Sequence, residues 1–178
     1  AVDEVLLTED FQLQPEQILA AVQPETKLIF ICSPNNPTAN SMSVTDIAKV
    51  LEGFDGIVVV DEAYIDFSRQ GSLVNNLEEF PNLVVLQTMS KSFGLAGIRL
   101  GIALANPEVI SYMMKVKAPY NVNKLTSQKA LQAFSSLDDI TRNIGAILEE
   151  RERVIGKLVT YPEVEKVFPT DANFVLFR

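Results

Sequence analysis

Residues 27–38 read KLIFICSPNNPT, an unbroken β-rich run over Lys27–Cys32 that stops at a cluster of Ser, Pro and Asn. The same arrangement recurs twice downstream. Ile57–Val60 (IVVV) runs into Asp61-Glu62-Ala63-Tyr64, and Leu83–Gln87 (LVVLQ) runs into Thr88-Met89-Ser90-Lys91-Ser92-Phe93. A fourth run, Gly101–Ala105 (GIALA), follows. The runs are continuous rather than alternating, the pattern of strands covered on both faces. Helical patterns lie between or after them. Gln14–Val22 carries Pro15 in its first turn, Ser43–Glu52 opens on Ser43 as N-cap, and Pro107–Lys117 follows the cap Asn106. Asp46, three residues after Ser43, makes an approximate capping box. Strands alternating with helices predict an α/β fold, a mostly parallel sheet with flanking helices.

From Leu125 onward the pattern changes. Thr126–Phe134 and Leu137–Thr160 read as helices, the second with apolar positions at Ile140, Ile144, Ile147, Leu148, Val154, Ile155 and Leu158. Glu149 and Glu150 precede Arg153 by four and three residues, a spacing that pairs charges on a solvated face. Val164–Phe168 and Ala172–Phe177 return to strand character around the turn Pro169-Thr170-Asp171. These patterns predict a partial large domain over 1–136, a connecting helix over 137–160, and the beginning of a small α+β C-terminal domain over 161–178. The start at Ala1 and the stop at Arg178, directly after a strand-like run, are read as those of an excised piece.

Composition removes several kinds of chemistry. The 178 residues contain no His, which excludes a Ser-His-Asp triad, a Cys-His pair and His-ligated zinc. The single Cys32 excludes an internal disulfide and a four-Cys metal site. A net charge of −8 argues against a phosphate backbone as partner, so no nucleic acid is expected. The apolar runs are far shorter than the roughly 20 residues that cross a bilayer, and no leader pattern opens the chain. A cytoplasmic protein with no membrane partner is the expectation.

Ligands of parallel α/β sheets bind at the carboxyl ends of the strands, where the three polar clusters lie. Each has a plain structural reading: a Pro-rich turn, a strand-end cap, a surface lysine beside a Gly-rich loop. Together they describe a site for pyridoxal 5'-phosphate. Such a site needs a lysine for the aldehyde, a carboxylate for the pyridine nitrogen, donors for the phenolic oxygen, and a cationic, hydroxyl-rich cup for the phosphate. Lys91, then Asp61, then Asn36 with Tyr64, then Thr88, Ser90 and Arg99 supply one candidate for each role. Cys32 reads as a small buried hydrophobe rather than a nucleophile. Glu62 reads as a structural residue facing away from Asp61.

At SPNNPT (33–38), VVDEAY (59–64) and TMSKSFGLAGIRLG (88–101) the sequence resembles the class I/II aminotransferases of fold type I. Within them the resemblance is nearest to the branch that acts on histidinol phosphate, supported by LANPEVISYMMKVKAPYNVN and the terminal DANFVLF. It implies that Lys91 forms the Schiff base and shuttles protons, while Asp61 pairs with the pyridinium nitrogen. By the same resemblance, Tyr64 and Asn36 bond the phenolic oxygen, and Ser90, Arg99 and Thr88 hold the phosphate. It further implies a homodimeric parent enzyme that transfers an amino group from histidinol phosphate to 2-oxoglutarate in histidine biosynthesis.

Other readings are another aminotransferase, a threonine-phosphate decarboxylase, or an aminotransferase-like regulatory domain. Ala39 departs from the family's usual Asn-Pro-Thr-Gly. If the turn is kept, alanine at positive φ costs about 1 kcal/mol. The resemblance places the phosphate-capping turn, the stacking aromatic and the partner subunit's tyrosine upstream of Ala1. It places the arginine for the substrate carboxylate beyond Arg178. The chain alone is therefore expected to be inactive.

Overall fold

The structure is a computed structural model, and residues 2–178 are described. Four strands form one sheet in the order β1-β2-β3-β4: β1 (Leu28–Cys32), β2 (Ile57–Asp61), β3 (Leu83–Thr88) and β4 (Gly101–Ala105). β1, β2 and β3 are parallel and β4 is antiparallel to β3, so the sheet is mostly parallel, as predicted. The helices are α1 (Pro15–Ala20), α2 (Val44–Gly53), α3 (Pro107–Val116), α4 (Lys124–Phe134) and α5 (Leu137–Leu158). Among the described residues no helix is long and apolar enough to cross a membrane.

Local chemistry explains the helix starts. Ser43 Oγ accepts from Asp46 N at 3.3 Å and Asn106 Oδ1 accepts from Glu108 N at 2.9 Å, satisfying N–H groups that the first turn leaves free. The capping box is only half made. Ser43 N donates to Gln12 Oε1 at 3.0 Å, and Asp46 turns outward to Lys49 at 3.0 Å. α2 is the crossover that a parallel β1–β2 pair requires. β2 and β3 are joined instead by two 3-10 turns, Ile65–Phe67 and Leu73–Asn76.

The main core lies on one face of the sheet. Ile31, Val58, Val60, Leu83 and Val85 pack with Ile47, Val50, Leu51 and Phe54 of the α2 region. The expectation of cover on both faces fails at β1. Leu28 and Phe30 are 52 % and 67 % exposed, and Cys32 on the same face is exposed too. β1 is an edge strand, and among the described residues nothing packs over that face; continuous hydrophobicity reports a strand's composition, not who covers it. Cys32 is accordingly not a buried hydrophobe.

A second, smaller cluster joins Ala39, Tyr64, Phe67 and Ala172 to Ile144, Ile147 and Leu148 of α5 and to Phe174. Two runs read as strands near the C-terminus form only an isolated antiparallel bridge, Val167 with Phe177. Phe168 N donates to Leu176 O at 2.9 Å and Arg178 N to Lys166 O at 2.8 Å. Among the described residues no third strand lies beside these two segments, and a two-stranded pair alone is marginal as a sheet.

Candidate active site

Asn36 and Tyr64 come from different connections, after β1 and after β2, and meet directly. Asn36 Nδ2 donates to Tyr64 Oη at 3.1 Å. The Tyr64 ring is buried at 9 % exposure and packs edge-on against Phe174, with centroids 5.2 Å apart at 81°. The turn bearing Asn36 is closed by Asn35 Nδ2 donating to Thr38 Oγ1 at 2.7 Å and by Ala39 N donating to Asn35 O at 2.8 Å. Ala39 adopts φ +67° and is fully buried, so the glycine-type turn is kept with alanine in it. The C-terminal segment braces this turn: Asp171 N donates to Ala39 O at 2.7 Å, and Asp171 Oδ2 accepts from Ser41 N at 3.0 Å.

Asp61 ends β2, half-buried, and one of its oxygens, Oδ1, accepts from Ala63 N at 3.0 Å. It is the register partner of Cys32 across the β1–β2 pair. Partial burial, and secondly the Asp61 carboxylate beside it, raise the Cys32 thiol pKa above its ordinary value. Glu62 is 2 % exposed. Its carboxylate accepts from Ser72 Oγ at 2.6 Å, Leu73 N at 2.8 Å and Gln87 Nε2 at 2.9 Å.

Lys91 lies in the connection between β3 and β4. Its Nζ sits over the Tyr64 ring, 4.9 Å from the centroid, which brings the third cluster onto the first two. Thr88 and Ser90 are joined twice: Thr88 Oγ1 donates to Ser90 Oγ at 3.0 Å and accepts from Ser90 N at 3.1 Å. Met89 N donates to Leu100 O at 3.3 Å, so the backbone next to Arg99 lies beside this hydroxyl pair. Arg99 itself is exposed, at φ +53°, with Nη1 donating to Ala96 O at 3.0 Å. Its guanidinium makes no hydrogen bond to Thr88 or Ser90.

Four contacts, made by three side chains, escaped sequence reading. Ser92 Oγ donates to Asp66 Oδ2, tying the lysine loop to the turn after Tyr64. Thr126 of α4, 7 % exposed, donates from Oγ1 to Ile98 O at 3.1 Å and anchors the approach to Arg99. Arg151 of α5 donates from Nη1 to Ala172 O at 2.8 Å and to Phe67 O at 3.4 Å. No spacing rule links residues 21, 26, 28 or 84 positions apart; only Ser92, next to Lys91, carried a local hint.

The sequence profile of the aminotransferase class I and II family matches residues 1–178. A histidinol-phosphate aminotransferase of Flavobacterium johnsoniae is 54 % identical over 175 residues, covering 98 % of this chain and 50 % of that protein. One of Parabacteroides distasonis is 49 % identical over 173 residues, covering 97 % and 50 %. The chain thus spans about half the length of these curated relatives. Among solved structures, the histidinol-phosphate aminotransferase of Clostridium acetobutylicum superposes with a TM-score of 0.87 at 26 % identity, over 97 % of this chain and 53 % of that one. That of Sinorhizobium meliloti, in complex with pyridoxal-5'-phosphate, shares the fold at a TM-score of 0.86 and 24 % identity, over 98 % and 48 %. With three strand ends converging on one lysine and a family profile matched from end to end, the chain belongs to the class I and II aminotransferases.

Proposed function

We propose that the protein carrying this chain is a pyridoxal-phosphate-dependent aminotransferase that moves an amino group from histidinol phosphate to 2-oxoglutarate. The observation that carries the reading is the meeting of Lys91, Tyr64 and Asn36, contributed by three separate strand ends, with Asp61 ending β2, the middle strand of the three. The substrate rests on the names of the relatives at 49 % and 54 % identity.

The donor set fits the cofactor. Bound there, pyridoxal phosphate would supply an electron sink for the bonding pair left on the substrate's α-carbon. Among the described residues Asp61 keeps one oxygen, Oδ2, without a partner, able to accept from a protonated ring nitrogen and hold that proton in place. Tyr64 Oη accepts from Asn36, which leaves the phenol's own proton free to donate to a phenolate-type oxygen. Lys91 makes no ion pair among the described residues, so its amine is free to attack an aldehyde and to carry a proton between two carbons. The Thr88–Ser90 hydroxyl pair offers phosphate contacts, and Arg99 would add a bidentate cation by swinging from Ala96 O.

In this reading residues 1–136 are part of the cofactor-binding large domain, 137–160 connect, and 161–178 begin the small domain. The whole enzyme is a cytoplasmic homodimer. The test is borohydride reduction of the full-length protein loaded with pyridoxal phosphate, followed by peptide mapping, together with an amino-transfer assay on histidinol phosphate. The adduct is expected on Lys91. An adduct on Lys115 or Lys117 would overturn the assignment, and turnover of a different amino donor alone would overturn the substrate.

A further inference from the structure

Glu62 is a buried carboxylate with three neutral donors and, among the described residues, no cation. Burying a charge is costly unless its hydrogen bonds are well made, so this network holds its members firmly. It also bridges elements. Ser72 and Leu73 begin the 3-10 turn Leu73–Asn76, and Gln87 belongs to β3. Gln87 Nε2 reaches Ser72 Oγ as well, at 3.2 Å, and Glu62 N donates to Leu86 O at 2.8 Å, extending the β2–β3 ladder past Asp61. Side chains alternate along a strand, so Glu62 and Gln87 lie on the face opposite Asp61 and Thr88.

We propose that Glu62 is a positioning residue. Through Gln87 and Ser72 it locks the carboxyl ends of β2 and β3 together, and so sets the spacing of Asp61 and of the Thr88–Lys91 segment on the other face. A glutamine cannot keep all three bonds as they stand. Its amide nitrogen would face Leu73 N at one position, or at the other would force the Ser72 hydroxyl and the Gln87 amide to turn round and accept. The inference rests on the aminotransferase reading above, in which Asp61 holds the ring nitrogen.

The experiment uses the full-length protein, with pyridoxal phosphate as the probe, in wild type, Glu62→Gln, Asp61→Asn and the double variant. Glu62→Gln is expected to weaken cofactor binding roughly tenfold or more and to lower kcat by a similar factor, with little change in KM for 2-oxoglutarate. Because part of its action runs through Asp61, its added effect on the Asp61→Asn background should be clearly smaller than its effect on the wild type. In the cofactor-free protein, amide exchange across residues 86–91 should quicken.

Effects that multiply in full with those of Asp61→Asn, as a merely structural carboxylate would give, overturn the proposal. So does Glu62→Gln binding the cofactor like wild type. If Glu62→Gln fails to fold, Gln87→Leu, which removes one donor and no charge, is put through the same cycle with the same criteria. Failure of the wild type itself to bind pyridoxal phosphate would overturn the aminotransferase reading instead.

Discussion

Tyr64 allows the fold and the chemistry to be separated by two substitutions. Tyr64→Phe removes the hydroxyl and its 3.1 Å bond from Asn36, while the ring keeps its edge contact with Phe174 and its place under Lys91. Asn36 is exposed, so its amide can turn to water, and the cost belongs at the low end of about 0.5–1.5 kcal/mol. Tyr64→Ala also deletes a ring that is 9 % exposed and packed with Ala39, Phe67 and Ala172, a loss of about 3–5 kcal/mol. Urea unfolding of the full-length variants should therefore separate the two by roughly 3 kcal/mol. The functional readout runs the other way.

If the phenol donates to the cofactor's anionic oxygen, losing that donor disfavours the deprotonated form of the lysine–cofactor linkage. Its visible absorbance should then titrate about one to two pH units higher in Tyr64→Phe, the equivalent of one charge-assisted hydrogen bond. Tyr64→Phe that unfolds as easily as Tyr64→Ala would show that the hydroxyl, not the ring, holds the cluster. An unshifted titration would show that the hydroxyl does not face the cofactor.

Ala39→Gly relieves left-handed strain worth about 1 kcal/mol, but it loses a buried methyl worth about 0.8 kcal/mol and frees the unfolded chain by about 0.4–1 kcal/mol. The full-length variant should unfold within about 1 kcal/mol of wild type, and a gain of about 2 kcal/mol would show that the strain at this turn is well above 1 kcal/mol. Asp61→Asn should cut turnover on the order of a hundredfold or more, while Asn Oδ1 still accepts from Ala63 N and keeps the melting temperature; near-normal turnover would reduce Asp61 to a strand-end cap.

Alkylation of Cys32 should need a higher pH than an ordinary thiol, and Asp61→Asn should lower that pH; no response to Asp61→Asn would refute their pairing. A raised folded-state pKa also fixes the sign for stability. The thiol's contribution is whole below its ordinary pKa and is lost as the pH rises through the elevated one, which urea midpoints across that alkaline range can check. The 178-residue chain by itself, with Phe30 and Leu28 bare on the Asp61 face of β1, should bind pyridoxal phosphate weakly and show no turnover in an absorbance titration; tight stoichiometric binding with turnover would refute this.

What could be read along the chain was local or periodic. Ser43 and Asn106 cap the helices they precede because an N-cap bonds within its own first turn. The apolar runs become strands, and the polar clusters stand at their ends, because a parallel sheet aligns like ends by construction. That placed Asn36, Asp61, Tyr64 and Lys91 near one another before any contact was known. Helix and strand limits moved by a few residues, as terminal turns depend on outside partners: α1 stops at Ala20, while α4 starts at Lys124, where Asn123 Oδ1 accepts from Thr126 N at 2.9 Å.

The sequence by itself determined the fold class and the family, and nominated the residues of the candidate site. Each follows from residue types at fixed spacings, and spacing within a strand end or a turn is a property of the chain alone. Only the tertiary structure decided which side chains touch: the bond between Asn36 and Tyr64, Lys91 over the phenol, Glu62 locked to Gln87, Asp171 bracing the Ala39 turn. It also decided that Cys32 and Phe30 stand uncovered. The reason is that burial and hydrogen bonding are many-body outcomes. A run of apolar residues states what a strand offers to bury, while the neighbours that cover it, and the donors that reach a carboxylate 25 residues away, exist only once the sheet has closed.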